Sequence, residues 1–154
     1  MRDFNDASRV KKSARIQIPN NPDNLSKEEL AHLESMVKAA LGDGYISCPV
    51  AWDIAKEARV TKIAVGEIAD KLGIRITDCQ IGFYKKEKTT YDNPANKCLD
   101  GEIVTMLMTL AESNQLTCTK IFELGQEFKL KPITIANEAS VQGLKISGCQ
   151  LGCF

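Results

Sequence analysis

"GIRITDCQIGFY", residues 73–84, and "GLKISGCQLGCF", residues 143–154, are one twelve-residue phrase written twice, seventy positions apart. Gly73, Ile76, Cys79, Gln80 and Gly82 recur as Gly143, Ile146, Cys149, Gln150 and Gly152, and Ile74, Arg75, Thr77 and Ile81 recur as Leu144, Lys145, Ser147 and Leu151. Outward from the phrase the register holds without a gap. Residues 28–84 lie on 98–154, pairing Met36 with Met106, Cys48 with Cys118, Glu57 with Glu127, Ile63 with Ile133 and Ala69 with Ala139. Repetition at a fixed spacing is read before any local pattern. It divides the chain into an arm (1–27), a first repeat (28–84), a linker (85–97) around Pro94, and a second repeat (98–154). Each repeat is near the lower size at which a domain folds alone.

Composition excludes several classes. The hydrophobic share of 44% and charged share of 26% are those of an ordinary globular chain. Apolar runs fall short of the roughly 20 residues of a membrane span. The first sixteen residues lack the apolar core of a signal peptide, so a cytoplasmic location and no membrane partner are expected. Net charge is zero, but it is unevenly spread. Six basic side chains face three acidic ones in 1–27 and four face two in 85–97, whereas the repeats carry six against nine and four against six. A nucleic-acid footprint must then be local.

Within the first repeat, Ser26 and Glu29 form a capping box, with Leu25 and Leu30 as its staple, and an apolar stripe runs through Leu30, Leu33, Val37, Ala40 and Leu41. The second repeat answers with Ile103, Met106, Leu107 and Leu110 from about Asp100. A short strand ("YISC", "QLTC") follows each helix. "PVAWDIAKEARVTKIAVGEIADKLG", residues 49–73, then reads as helix, turn, helix: Ala55 is small at the crossing, Val60 plugs the turn, Thr61 caps the next helix, and Val65, Ile68 and Leu72 face inward until Gly73. In the second copy Glu138 and Gln142 replace Ile68 and Leu72, so a shorter or rotated third helix is expected there. Arg59 and Lys129 stand at the turn position glycine usually takes. Taking Thr77-Asp78 and Ser147-Gly148 as two-residue hairpin turns puts Ile76 opposite Cys79 and Ile74 opposite Ile81 on an apolar face, with Arg75 opposite Gln80 outside.

These stretches resemble the helix-turn-helix superfamily, and with the flanking helix and hairpin each repeat resembles a winged helix. The fold class expected is mainly α with small β wings (α+β), two tandem winged-helix domains from an internal duplication. The resemblance implies a DNA-binding, transcription-regulator-like protein acting on double-stranded DNA. Its third helices would offer Thr61, Lys62, Ala64, Glu67 and Lys71, and Lys131, Thr134, Asn137 and Val141, to the major groove; the wings would add Arg75, Gln80, Lys145 and Gln150. The arm supplies Arg9, Lys11, Lys12 and Arg15 for phosphates. Glu67 and Asp70 oppose such a role, and a protein-protein interaction module on the same fold is the first alternative. The second is a cysteine-based metal, iron-sulfur or redox sensor. Cys48, Cys79, Cys118, Cys149 and Cys153, with Cys98 in addition, could supply thiolates for zinc or a cluster, but they include no C-x2-C pair, and buried apolar cysteine without a cofactor is the expectation. His32 is the single histidine and falls on the outer side of its helix; with no phosphate loop or paired carboxylates, no enzyme is expected.

Overall fold

The computed structural model describes residues 5–83 and 100–154, and it is mainly helical with a small two-stranded sheet. The chain forms two compact units, residues 1–79 with 150–154, and residues 80–149. The units differ from the repeats at 28–84 and 98–154 in that each includes a tail segment of the other repeat. The 85–97 linker lies outside the described residues.

In the first unit, Asn5 caps a short helix α1 (Asp6–Ser13) by accepting the Ser8 amide. The side chain of Asn21 then exchanges two hydrogen bonds with the backbone of Leu25, turning the chain into α2 (Lys27–Ala39). The capping box forms as the spacing predicts, and the Ser26 amide on the Glu29 carboxylate holds that acid below its ordinary pKa. After β1 (Tyr45–Ser47) come α3 (Cys48–Ala58) and α4 (Lys62–Lys71), then β2 (Arg75–Thr77). Leu33, Val37, Ile46, Val65 and Ile68 are the large buried side chains at its centre.

The second unit repeats this plan with α5 (Gly101–Glu112), α6 (Cys118–Glu127) and α7 (Pro132–Val141) around Leu107, Leu116, Ile121 and Ile135. Its strand pairing contracts to a single bridge, Thr117 with Ser147, seventy positions on from Ser47 with Thr77. The order of buried and exposed positions over 51–60 recurs unchanged over 121–130. Backbone geometry repeats too. Arg59 and Lys129 turn left-handed at φ 56° and 54° between the paired helices, at some steric cost because neither is glycine. α7 is as long as α4, ten residues, so of the two alternatives expected, shorter or rotated, shortening does not occur; Glu138 and Gln142 bond to each other at 2.8 Å, while Ile135, Ala136 and Ala139 face the core.

The expected hairpin wing is not what forms. β2 pairs with β1 in parallel, Ile46 beside Ile76, so the phrase lies along the strand before the helix pair and does not fold back on itself. Asp78 and Gly148 do turn left-handed, at φ 49° and 62°. The chain then leaves. Residues 80–83 enter the second unit, where Gly82 lies on Ile133 of α7; residues 150–154 enter the first, where Gly152 lies against Ile63 of α4 and Ile18. Ile63 and Ile133 are partners in the seventy-residue register, so the two contacts are the same contact with the tails exchanged. Ile81 and Leu151 are buried at the centre of these tails, each contributing about 1.5–3 kcal/mol to closing its unit.

Gly66 shows how close the tail comes. Its backbone faces Leu151 so tightly that a Cβ would stand 2.0 Å from the Leu151 carbonyl oxygen. A helix-interior glycine normally costs about 0.5–1 kcal/mol relative to alanine, so its place here answers to the approach of the tail. Ala136 occupies the corresponding position of α7. Gly66→Ala should lower unfolding free energy by about 1–3 kcal/mol in denaturant titration despite its better helix propensity. Ala136→Gly should cost only the propensity difference plus one methyl group. Stabilisation by Gly66→Ala would contradict the seating of Leu151.

Candidate nucleic-acid interface

The two third helices differ in what covers them. On α4, residues Ala64 to Ala69 are all buried. Ala64 and Glu67, expected on the outer face, are 2% and 6% exposed. The cover comes from two sides. The tail lies across Gly66 and Ile63, and the arm lies across Glu67 and Asp70, where Lys12 Nζ donates to both Asp70 carboxylate oxygens at 2.7 and 2.6 Å. A helix so enclosed has no face for a major groove, which needs side chains free to reach base edges.

Each basic residue assigned to this helix is also held within the unit. Lys62 Nζ donates to Gln150 Oε1 at 2.6 Å and sits 3.3 Å above the centre of the Trp52 ring, so Lys62 and Gln150 are partners of each other. Trp52 is half-buried and supplies this cation platform. Thr61 is the N-cap residue, but its side chain does not cap. Its amide and hydroxyl both donate to the Asp23 carboxylate, at 2.6 and 2.5 Å. Lys71 pairs with Glu67 at 2.6 Å, one turn away. Arg75 is half-buried on β2. Gln80, expected beside it, belongs to the other unit.

The arm is a helix with two kinds of cation. Lys12 is turned inward on Asp70, whereas Arg9, Lys11 and Arg15 are exposed. Burial pushes the Asp70 carboxyl above its ordinary pKa, and the hydrogen bond and charge of Lys12 only partly offset this. A carboxyl raised in the fold contributes stability that is complete below its ordinary pKa and is lost as pH rises through the raised value. The bond thus positions α1 more than it stabilises the fold. Asp70→Asn should match or exceed the wild-type melting midpoint near neutral pH, with the difference vanishing on acidification. A loss of about 3–5 kcal/mol, the mark of a broken buried ion pair, would contradict this.

In the second unit the outer face of α7 is open. Lys131 at its N-cap is exposed, Thr134 and Asn137 are half-buried at successive three-residue steps, and Val141 is 79% exposed at its end. Lys129 in the turn and Lys145 beyond the helix are exposed as well. This is the one set of assigned residues that the fold leaves aligned on a helix face among the described residues. The sequence held a signal for the difference: Glu67 and Asp70 of α4 become Asn137 and Ser140 in α7, removing the carboxylate that docks the arm, Asp70, and the one beside it.

Cys48 and Cys118 are buried at the starts of α3 and α6, and Cys79, Cys149 and Cys153 are half-buried. Among the described residues no group of three or more His, Cys, Asp or Glu side chains is arranged to hold a metal ion; Cys98 lies outside them. His32 is exposed on α2. Among the described residues no helix is long and apolar enough to cross a membrane. No family model, curated protein or solved structure matches the chain.

Proposed function

We propose that the chain is a DNA-binding protein of the helix-turn-helix kind that reads double-stranded DNA through α7 of the second unit, the first unit having been turned to another use. The observation that supports this is the open face of α7, with Lys131, Thr134, Asn137 and Val141 in line. Lys131, near the positive end of the helix dipole, and Lys129 and Lys145 flank it for phosphates. Asn137 is suited to an adenine edge and Val141 to a thymine methyl. The repeated order of helices, left-handed turns and strand pairing supports an ancestral duplication of a helix-turn-helix unit. The minimal wing of the resemblance is replaced by exchanged tails.

A second reading, a protein-interaction module, is favoured by one feature: the acidic face of α4 already receives a basic helix, α1, through Lys12 and Asp70. In that reading the same chemistry serves a partner. Fluorescence anisotropy of the full chain with mixed-sequence duplex DNA separates the two. Binding should be salt-sensitive, because phosphate contacts release counterions, and Lys131→Ala with Lys145→Ala should weaken it uniformly while shallowing the salt dependence by about 0.9 per lost contact. Asn137→Ala should relax the preference at one base at a cost of about 1–3 kcal/mol. No binding by folded protein at low salt would sink the DNA reading in favour of partner docking.

A further inference from the structure

α1 covers α4 without packing flush on it. None of its residues is buried, and Val10, its large apolar side chain, is 68% exposed. Between α1 and α4 runs a groove of about 760 Å³ with walls from Val10, Ile16 and Ile18 and a charged side from Glu67, Asp70 and Lys71. This volume is within the range of small-molecule sites, about 300–1,000 Å³. Charges along it are matched in pairs: Arg9 with Asp6 at 3.6 Å, Lys12 with Asp70 at 2.6 Å, and Lys71 with Glu67 at 2.6 Å. One acceptor is left over. The Glu67 side chain is 7% exposed, its Oε1 takes the Lys71 bond, and its Oε2 has no hydrogen-bond partner among the described residues.

A carboxylate oxygen shielded from water and left without a donor costs several kcal/mol unless something supplies one. We infer that the groove between α1 and α4 is a binding site for a small organic ammonium ion whose N–H donates to Glu67 Oε2 and whose apolar body lies on Val10, Ile16 and Ile18. An orphaned carboxylate oxygen calls for a donor and so excludes an anion, and an ammonium adds Coulombic attraction to the hydrogen bond that a neutral donor also makes to a carboxylate. Oε2 is shielded in this structure, so the ligand enters as α1 lifts and is clasped as it resettles. Lifting α1 uncovers no buried residue of its own and breaks the Lys12–Asp70 bond, which re-forms as the helix resettles. The inference does not depend on the DNA reading, since occupancy is measured directly.

Phenethylammonium and its neutral counterpart 2-phenylethanol are the probes, titrated into the ¹⁵N-labelled full chain and followed by amide chemical shifts. Phenethylammonium should produce saturable shifts confined to residues 9–18 and 66–71, and 2-phenylethanol, whose hydroxyl donates but carries no charge, should bind at least about tenfold more weakly for want of the Coulombic attraction. Glu67→Gln should weaken the ammonium by a similar factor. Val10→Ser, at an exposed position that folding does not require, should weaken both probes a few-fold. Absence of saturable shifts in those segments, equal binding of alcohol and ammonium, or unchanged affinity in folded Glu67→Gln would each overturn the assignment. Should Glu67→Gln fail to fold, the comparison of the two probes in wild type and in Val10→Ser decides it alone.

Discussion

Leu151 and Gly152 on α4 are the contact on which the rest of the first unit depends. The tail reaches α4 at Gly66, where any side chain would collide with the Leu151 carbonyl, and at Ile63 and Ile18, which close around Gly152. Glycine at 152, with φ 67°, lets the chain turn against two isoleucines that a Cβ would meet at 2.5 to 2.9 Å. Ile18 ties the arm into the same contact. From that anchor α1 swings over α4, Lys12 meets Asp70, and the groove with Glu67 on its side comes into being. Remove the tail and the arm loses its floor.

The exchange of tails is common to both repeats, and their surfaces differ for another reason. Each third helix receives the other repeat's tail, so both have one side closed. Among the described residues α4 alone has a second cover. Its Glu67 and Asp70, poor residues for approaching phosphate, are accounted for by Lys71 and Lys12 inside the unit. Where α7 carries Asn137 and Ser140 in their place, no carboxylate stands to receive a basic arm, and among the described residues Lys131 stays exposed with Thr134 and Asn137 half-buried beside it. A difference of two charges on otherwise matching helices thus separates a helix used for packing from one available for contact.

Local chemistry was legible in the sequence. The Ser26–Glu29 box, the buried stripe positions Leu33 and Val37 of α2 and Ile103 and Leu107 of α5, and the helix, turn, helix order over residues 49–73 each act within a few residues, and each forms, although Leu41 at the end of the first stripe lies past α2 and is exposed. The twelve-residue phrase was legible as something both repeats need, but its destination was not. A two-residue turn at Thr77-Asp78 satisfies cross-strand pairing on paper as well as departure into another unit does, because the retained letters report apolar and glycine positions without naming their partner. The parallel pairing of Ile76 with Ile46, separated by a helix pair, is likewise nonlocal. The same holds for Lys62 with Gln150, eighty-eight positions apart. Charges read as DNA contacts were committed inward by contacts of that kind.

The exchange of tails is most directly tested by nuclear Overhauser contacts in protein with labelled isoleucine methyls. The account predicts contacts from the δ-methyls of Ile18 and Ile63 to the α-protons of Gly152, and from Ile133 to Gly82. Contacts from Ile133 to Gly152 and from Ile63 to Gly82, each tail on its own repeat, would contradict it.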